Sequence, residues 1–271
     1  MYLTRHATPD GPRWALDAKF LPASFSLRLL LALPRAAMPA ALNALVTADP
    51  AGGAPLAPLE ADHEIWASGV TYLRSREARQ AESVVGDVYA RVYDAQRPEL
   101  FFKAIGWRVV GDGAGIRVRP DSAWNVPEPE LVLVINRLGE IVGYCAGNDV
   151  SSRSIEGENP LYLPQAKVYT GACSLGPGLA LIESASPGDV PIRLEIARQG
   201  ENIFRAQTQT SQMKRGFEEL VAYLCRELDF PHGVFLMTGT GIVPGDGFTL
   251  QPGDRVSITV GALTLQNDVY P

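Results

Sequence analysis

The segment Leu131-Val-Leu-Val-Ile135 is an unbroken run of branched apolar side chains, and directly before it stands Glu128-Pro129-Glu130. Such a run reads as a β-strand, on which Glu128 and Glu130, two apart, project to the same side at its mouth. Two carboxylates held that close repel each other, and a bound hard cation is the usual remedy. Asp149, in the turn-like context Gly147-Asn-Asp149, offers a third carboxylate and completes an all-oxygen set suited to Mg²⁺, Mn²⁺ or Ca²⁺. Lys167, in Gln165-Ala-Lys167, adds a candidate base within the same forty residues. Taken alone, a Glu-x-Glu pair also fits a solvated strand end, so the neighbouring motifs decide its meaning.

The rest of the composition excludes several classes. With 271 residues, 46% hydrophobic and 8% aromatic, the chain can bury a sizeable core as one large domain, or one with a small appendage. A net charge of −6 argues against a nucleic-acid partner, and Arg74, Arg76 and Arg79 read as a solvated helix face. Cys145, Cys173 and Cys225 are odd in number and lack Cys-x-x-Cys spacing, which indicates neither disulfides nor zinc and fits a reducing cytoplasm. His6, His63 and His232 are too dispersed for a histidine-rich metal site. The apolar segment Leu27 to Leu45 is broken by Arg28, Pro34, Arg35 and Pro39, so neither a membrane span nor a signal peptide is expected.

Along the chain, Pro39 opens a short helical pattern to Val46, and the tract Asp49-Pro-Ala-Gly-Gly-Ala-Pro-Leu-Ala-Pro58 ends it. The boundary falls there: a small N-terminal region of residues 1–60, then residues 61–271 as the main domain, which carries the candidate metal and base residues. A helix is expected over 75–93, with Ala78, Val85, Val88 and Val92 on its apolar face and Gly86 as a weak point. Short strands follow at 108–110, 116–118, 131–135, 141–144 and 192–196. A further helix is expected over 211–228, stopped by Phe230-Pro231, and two more strands at 234–237 and 256–260. The class is α+β and strand-rich. A Rossmann sheet is excluded, because strands and helices do not alternate and Gly239-Thr-Gly241 lacks the third glycine.

Glu-x-Glu, then Asn148-Asp-Val-Ser-x-Arg153 with Asp149 nineteen residues beyond Glu130, then Lys167 eighteen beyond Asp149, resemble the catalytic core of the fumarylacetoacetate hydrolase family. Phe101-Phe-Lys103, Gly171-Ala-Cys-Ser-Leu-Gly-Pro177 and Thr238-Gly-Thr-Gly-Ile-Val243 resemble further family segments, in the family's order from about residue 60 onward. The resemblance implies a mixed, rolled, barrel-like β-sheet. It also implies Glu128, Glu130 and Asp149 as ligands of a divalent metal, Mg²⁺ first, and Lys167, Gly239 and Thr240 beside the substrate. Homodimers or homotetramers are the family's usual assemblies.

Family hydrolases that cleave diketo acids typically carry Asn-Tyr-x-x-His with a following glutamate to activate water. Here the segment is Gly69-Val-Thr-Tyr72-Leu-Arg-Ser75-Arg-Glu77: Tyr72 is kept and Ser75 stands in place of the histidine. The segments 71–79, 92–103 and 157–167 instead resemble a sugar-acid dehydratase branch, which converts 2-keto-3-deoxy-pentonates to 2,5-dioxopentanoate. That resemblance implies a small 2-keto acid substrate, Lys167 as the base at C3 and an acid for the departing C4 hydroxyl. Glu99, in Arg97-Pro-Glu-Leu-Phe-Phe, is the candidate acid, and a surface glutamate at a strand start is its equal alternative. Tyr72, Ser75, Arg76, Lys103 and Gln165 are candidate substrate contacts, and Glu156-Gly-Glu-Asn159 a candidate lid. The competing readings are an acylpyruvate or 2,4-diketo-acid hydrolase of the same family and a non-catalytic binding protein with the same fold.

Overall fold

The apolar run lies at the centre of the molecule. A computed structural model of the chain describes residues 1–82 and 87–270, and in it strand Pro129–Ile135 is buried at every position. It pairs antiparallel with Ile141–Asp149 on one side and with Val234–Met237 on the other. From there a ten-stranded sheet extends one way through Cys173–Leu181 to the hairpin Tyr2–Thr8 and Gly11–Leu16, and the other way through Glu64–Gly69 to Glu99–Ile105. Val234–Met237 and Glu64–Gly69 run parallel, which makes the sheet mixed. Its outermost strands, Lys19–Phe20 and Glu99–Ile105, do not pair with each other. The sheet is therefore open, which corrects the barrel-like closure implied by the resemblance.

A second sheet of five strands, in the order Glu201–Gln209, Pro191–Arg198, Arg255–Val260, Leu263–Tyr270 and Ile116–Arg117, packs against the first. The period-2 alternation of strand Pro129–Ile135 explains how one strand serves two cores. Leu131, Leu133 and Ile135 enter a cluster with Ile192, Leu194, Val256 and Ile258 of the second sheet and Leu220 of helix Phe217–Leu224. Val132 and Val134 enter the opposite cluster with Leu3, Leu27, Leu31 and Phe235. Each side chain fully buried in this way contributes about 1.5–3 kcal/mol.

The same alternation positions the polar groups. Glu128 and Glu130 keep phase with Val132 and Val134 and so emerge on the second-core face. On the neighbouring strand Asp149 keeps phase with Cys145, which belongs to the same core. On the edge strand Glu99, Phe101 and Lys103 form one in-phase row. Carboxylates and lysine from three strands therefore meet on one face, near the end of the sheet where those strands start or stop.

Several expected elements shift. The helix expected over 39–46 runs Met38–Leu45. That expected over 75–93 is represented by Leu73–Glu82 and Asp87–Asp94, with Val85 and Gly86 outside the described residues. That expected over 211–228 is only Phe217–Leu224, because Gly216 is extended and the chain before it bends in a short turn at Thr210–Gln212. Residues 106–108 form a turn with Trp107 exposed, where a strand was expected from 108. The first sixty residues join the main sheet through the pairing of Tyr2–Thr8 with Cys173–Leu181. No described helix is long and apolar enough to cross a membrane. The three cysteines are free thiols.

Candidate active site

Glu128, Glu130 and Asp149 each offer a carboxylate oxygen within 4.8 Å of the others, and all three are buried. Three cations answer them. The Lys167 ammonium, at the end of helix Leu163–Lys167, donates to Glu128 Oε2 at 2.7 Å, to Asp149 Oδ2 at 3.0 Å and to Ser151 Oγ at 2.6 Å. Arg153, on helix Arg153–Glu158, donates to the other Glu128 oxygen at 2.7 Å. Lys103 pairs with Asp149 Oδ1 and donates to the carbonyls of Val150, at 3.2 Å, and Lys167, at 2.5 Å. Both Asp149 oxygens are thus held by a lysine each. Glu130 instead accepts the backbone N–H of Gly239 at 2.6 Å.

Gly239 stands in the left-handed region, with φ of +92°, and a Cβ there would collide with the Thr71 hydroxyl. Only glycine lets this turn bring its N–H up to Glu130. Burial, followed by repulsion from Asp149 and Glu128, pushes the Glu130 carboxyl well above the usual carboxylate range, against the pull of the Gly239 N–H. Tyr72 is buried next to this group, and burial together with the Glu130 charge pushes its phenol upward.

The cluster forms one wall of a cleft. Glu99 reaches it from the edge strand, its carboxylate resting where a Cβ on Gly69 would be. Glu156 reaches it from helix Arg153–Glu158, three residues beyond Arg153 and so on the same helix face. The three buried carboxylates Glu128, Glu130 and Asp149, each offering an oxygen within 4.8 Å of the others, form a hard-oxygen donor set that fits Mg²⁺.

Of the other residues singled out from the sequence, Ser75, Gly239 and Thr240 line the cleft. Thr240 Oγ1 is engaged within its own turn, with the Ile242 N–H at 3.1 Å. Lys103 lies beneath the cleft, its ammonium spent on Asp149 and two carbonyls. Tyr72 is buried against Gly241. Arg76 stacks 4.8 Å over the Tyr93 ring, and Gln165 is exposed. Neither Arg76 nor Gln165 lines the cleft. Sequence reasoning gave no role to Arg153, although it closes the Asn-Asp-Val-Ser-x-Arg motif, and none to Val70 or Phe101. A buried arginine one turn before Glu156 is a signal the helical spacing carries.

A model of the fumarylacetoacetate (FAA) hydrolase C-terminal domain matches residues 64–270. The chain belongs to the fumarylacetoacetate hydrolase family. Among relatives in it, a probable 2-keto-3-deoxyxylonate dehydratase of Haloferax volcanii is 53% identical over 214 residues, covering 78% of this chain and 73% of its own. A 2-dehydro-3-deoxy-D-arabinonate dehydratase of Saccharolobus solfataricus is 45% identical over 202 residues, covering 73% and 68%. A solved structure of 2-keto-3-deoxy-D-arabinonate dehydratase complexed with magnesium and 2,5-dioxopentanoate has a TM-score of 0.84 and 35% identity, covering 100% of this chain and 99% of that one.

Proposed function

We propose that this protein is a Mg²⁺-dependent hydro-lyase that converts a 2-keto-3-deoxy-pentonate to 2,5-dioxopentanoate. The observation that carries the reading is the cleft itself: a buried carboxylate trio, a lysine bonded to two of its members, and a separate carboxylate, Glu99, on the opposite strand. The two dehydratase relatives at 53% and 45% identity support it.

Glu128, Glu130 and Asp149 would hold the cation, which when bound supplies Lewis acidity toward the oxygens of a 2-keto acid. Lys167, positioned by Glu128, Asp149 and Ser151, takes the proton from C3 as the neutral amine, after its ammonium has given up one proton. Glu99 gives a proton to the C4 hydroxyl, which leaves as water. Loss of the C3 proton and the C4 hydroxyl creates a C3–C4 double bond; loss of a C5 proton and return of a proton to C3 move it to C4–C5, and that enol takes a proton at C4 as its hydroxyl loses one, giving the aldehyde at C5. Glycine at position 69 lets the Glu99 carboxylate approach the strand closely enough to serve this end of the cleft. Ser75 is buried and lines the cleft where an imidazole would be needed for hydrolysis, and none of the three histidines lines it.

Every residue lining the cleft falls between Ser68 and Thr240, which supports residues 61–271 as the catalytic unit and 1–60 as an accessory region. Assembly as a homodimer or homotetramer and a cytoplasmic location complete the reading. The deciding experiment measures kcat/KM for 2-keto-3-deoxy-pentonates and for acylpyruvates on one preparation with Mg²⁺. General-base assistance is worth about 10²–10⁴ in rate, so dehydration should exceed diketo-acid cleavage by at least about that factor. Comparable values, or faster cleavage, would make the protein a hydrolase.

A further inference from the structure

Val70 has φ of +51°, a conformation that glycine adopts freely and that a β-branched residue resists. Such strain persists only where the surroundings over-determine the backbone, and here they do. On one side Gly69 is paired with Glu99 in the sheet. On the other, the Thr71 hydroxyl donates to the Thr238 carbonyl at 2.7 Å, and the Thr71 carbonyl accepts the Lys214 N–H at 2.9 Å. Tyr72 bridges to Met213, and its carbonyl accepts the Arg76 N–H at 3.1 Å. A glycine at position 70 would satisfy all of these contacts without strain, so the isopropyl group needs its own explanation.

Core packing does not provide one. Val70 is buried yet belongs to neither apolar cluster, and it lines the cleft. Apart from glycines, Val70 and Phe101 are the apolar residues among the described ones lining that cleft, and the Phe101 ring lies 5.9 Å from the Lys167 ammonium. Phe101 therefore stands beside the group proposed to abstract the proton, and Val70 lines the same cleft. In a 2-keto-3-deoxy acid, C3 is the one carbon without oxygen. We propose that Val70 is a specificity-determining residue: its strained backbone presents an apolar wall to the C3 methylene and so selects 3-deoxy acids over those hydroxylated at C3. This inference rests on the dehydratase reading.

The test compares Val70→Gly and Val70→Thr with the parent enzyme, by kcat/KM on a 2-keto-3-deoxy-pentonate, by Mg²⁺ affinity in calorimetry and by thermal unfolding. Glycine releases the strain and removes the wall, so Tm should fall by no more than about 4 °C, or rise, while kcat/KM drops at least about tenfold. Threonine keeps shape and strain but sets a hydroxyl against C3, and the same tenfold loss is expected. Mg²⁺ affinity should stay within threefold in both variants. A larger fall in Tm for the glycine variant would make Val70 an ordinary packing residue and overturn the inference. So would a smaller loss of kcat/KM in either variant, or a larger change in Mg²⁺ affinity. If the parent enzyme is inert toward pentonates, the dehydratase reading fails and takes the substrate assignment with it, whereas an active parent with unaffected variants removes the Val70 proposal alone.

Discussion

Lys103→Met separates two roles for a lysine that the sequence reads as a substrate contact. The Lys103 side chain is fully buried, paired with Asp149 Oδ1 and bonded to the carbonyls of Val150 and Lys167. Methionine fills a similar volume but cannot donate. Removing one partner of a buried ion pair costs about 3–5 kcal/mol, because the remaining charge is left without its counter-ion. Lys167 still reaches the other Asp149 oxygen at 3.0 Å, which places the loss toward the lower end of that range. For a chain of this size each kcal/mol moves Tm by about 2–4 °C, so a fall of at least about 6 °C is expected. Differential scanning calorimetry of the metal-free protein at neutral pH measures it. A direct substrate contact would instead leave Tm in place and raise KM. A Tm within 2 °C of the parent value, together with a raised KM, would refute the argument that Lys103 supports Asp149 from below.

Glu128→Gln, Glu130→Gln and Asp149→Asn should each abolish or severely reduce turnover, since each removes one anionic oxygen from a hard-cation set, and EDTA should act likewise, reversibly on adding Mg²⁺. Full activity in the chelated enzyme would contradict the metal assignment. Lys167→Ala should stop deuterium exchange at C3 of 2-oxobutyrate in D₂O, followed by NMR; persistent exchange would place the base elsewhere. Stability should also depend on His63. Burial lowers the pKa of its imidazole below the usual value of 6.5, so the folded state favours the neutral ring. The stabilisation is present above about pH 6.5 and is lost as pH falls through the folded-state value. Urea midpoints should therefore decline below pH 6.5 in the parent and decline less in His63→Gln, and parallel profiles would rule His63 out.

What was legible along the chain was local. The branched apolar run at 131–135, the two-residue spacing of Glu128 and Glu130, and the distances onward to Asp149 and Lys167 are matters of short-range periodicity and order, and the carboxylates do converge. The α+β, strand-rich class was legible for the same reason. Residues 1–60 carried a short helical pattern and no family motif, and the Tyr2–Thr8 hairpin becomes meaningful only once Cys173–Leu181 is beside it.

Tertiary structure alone decided which polar side chains share a cleft. Arg76 and Gln165 are near the right segments in sequence, yet one stacks on Tyr93 and the other faces outward. Glu156, by contrast, is carried inward by a helix whose first residue is tied to Glu128. The contacts that complete the site span the chain: Glu130 to Gly239, Thr71 to Thr238, Lys103 to Asp149. The same holds for Val70, whose positive φ has no signature in its own sequence, because valine disfavours it and only the contacts on either side impose it. Side-chain phase along a strand follows from covalent geometry and can be read residue by residue. The partner across the cleft is set by sheet pairing between segments a hundred or more residues apart, which no local pattern encodes.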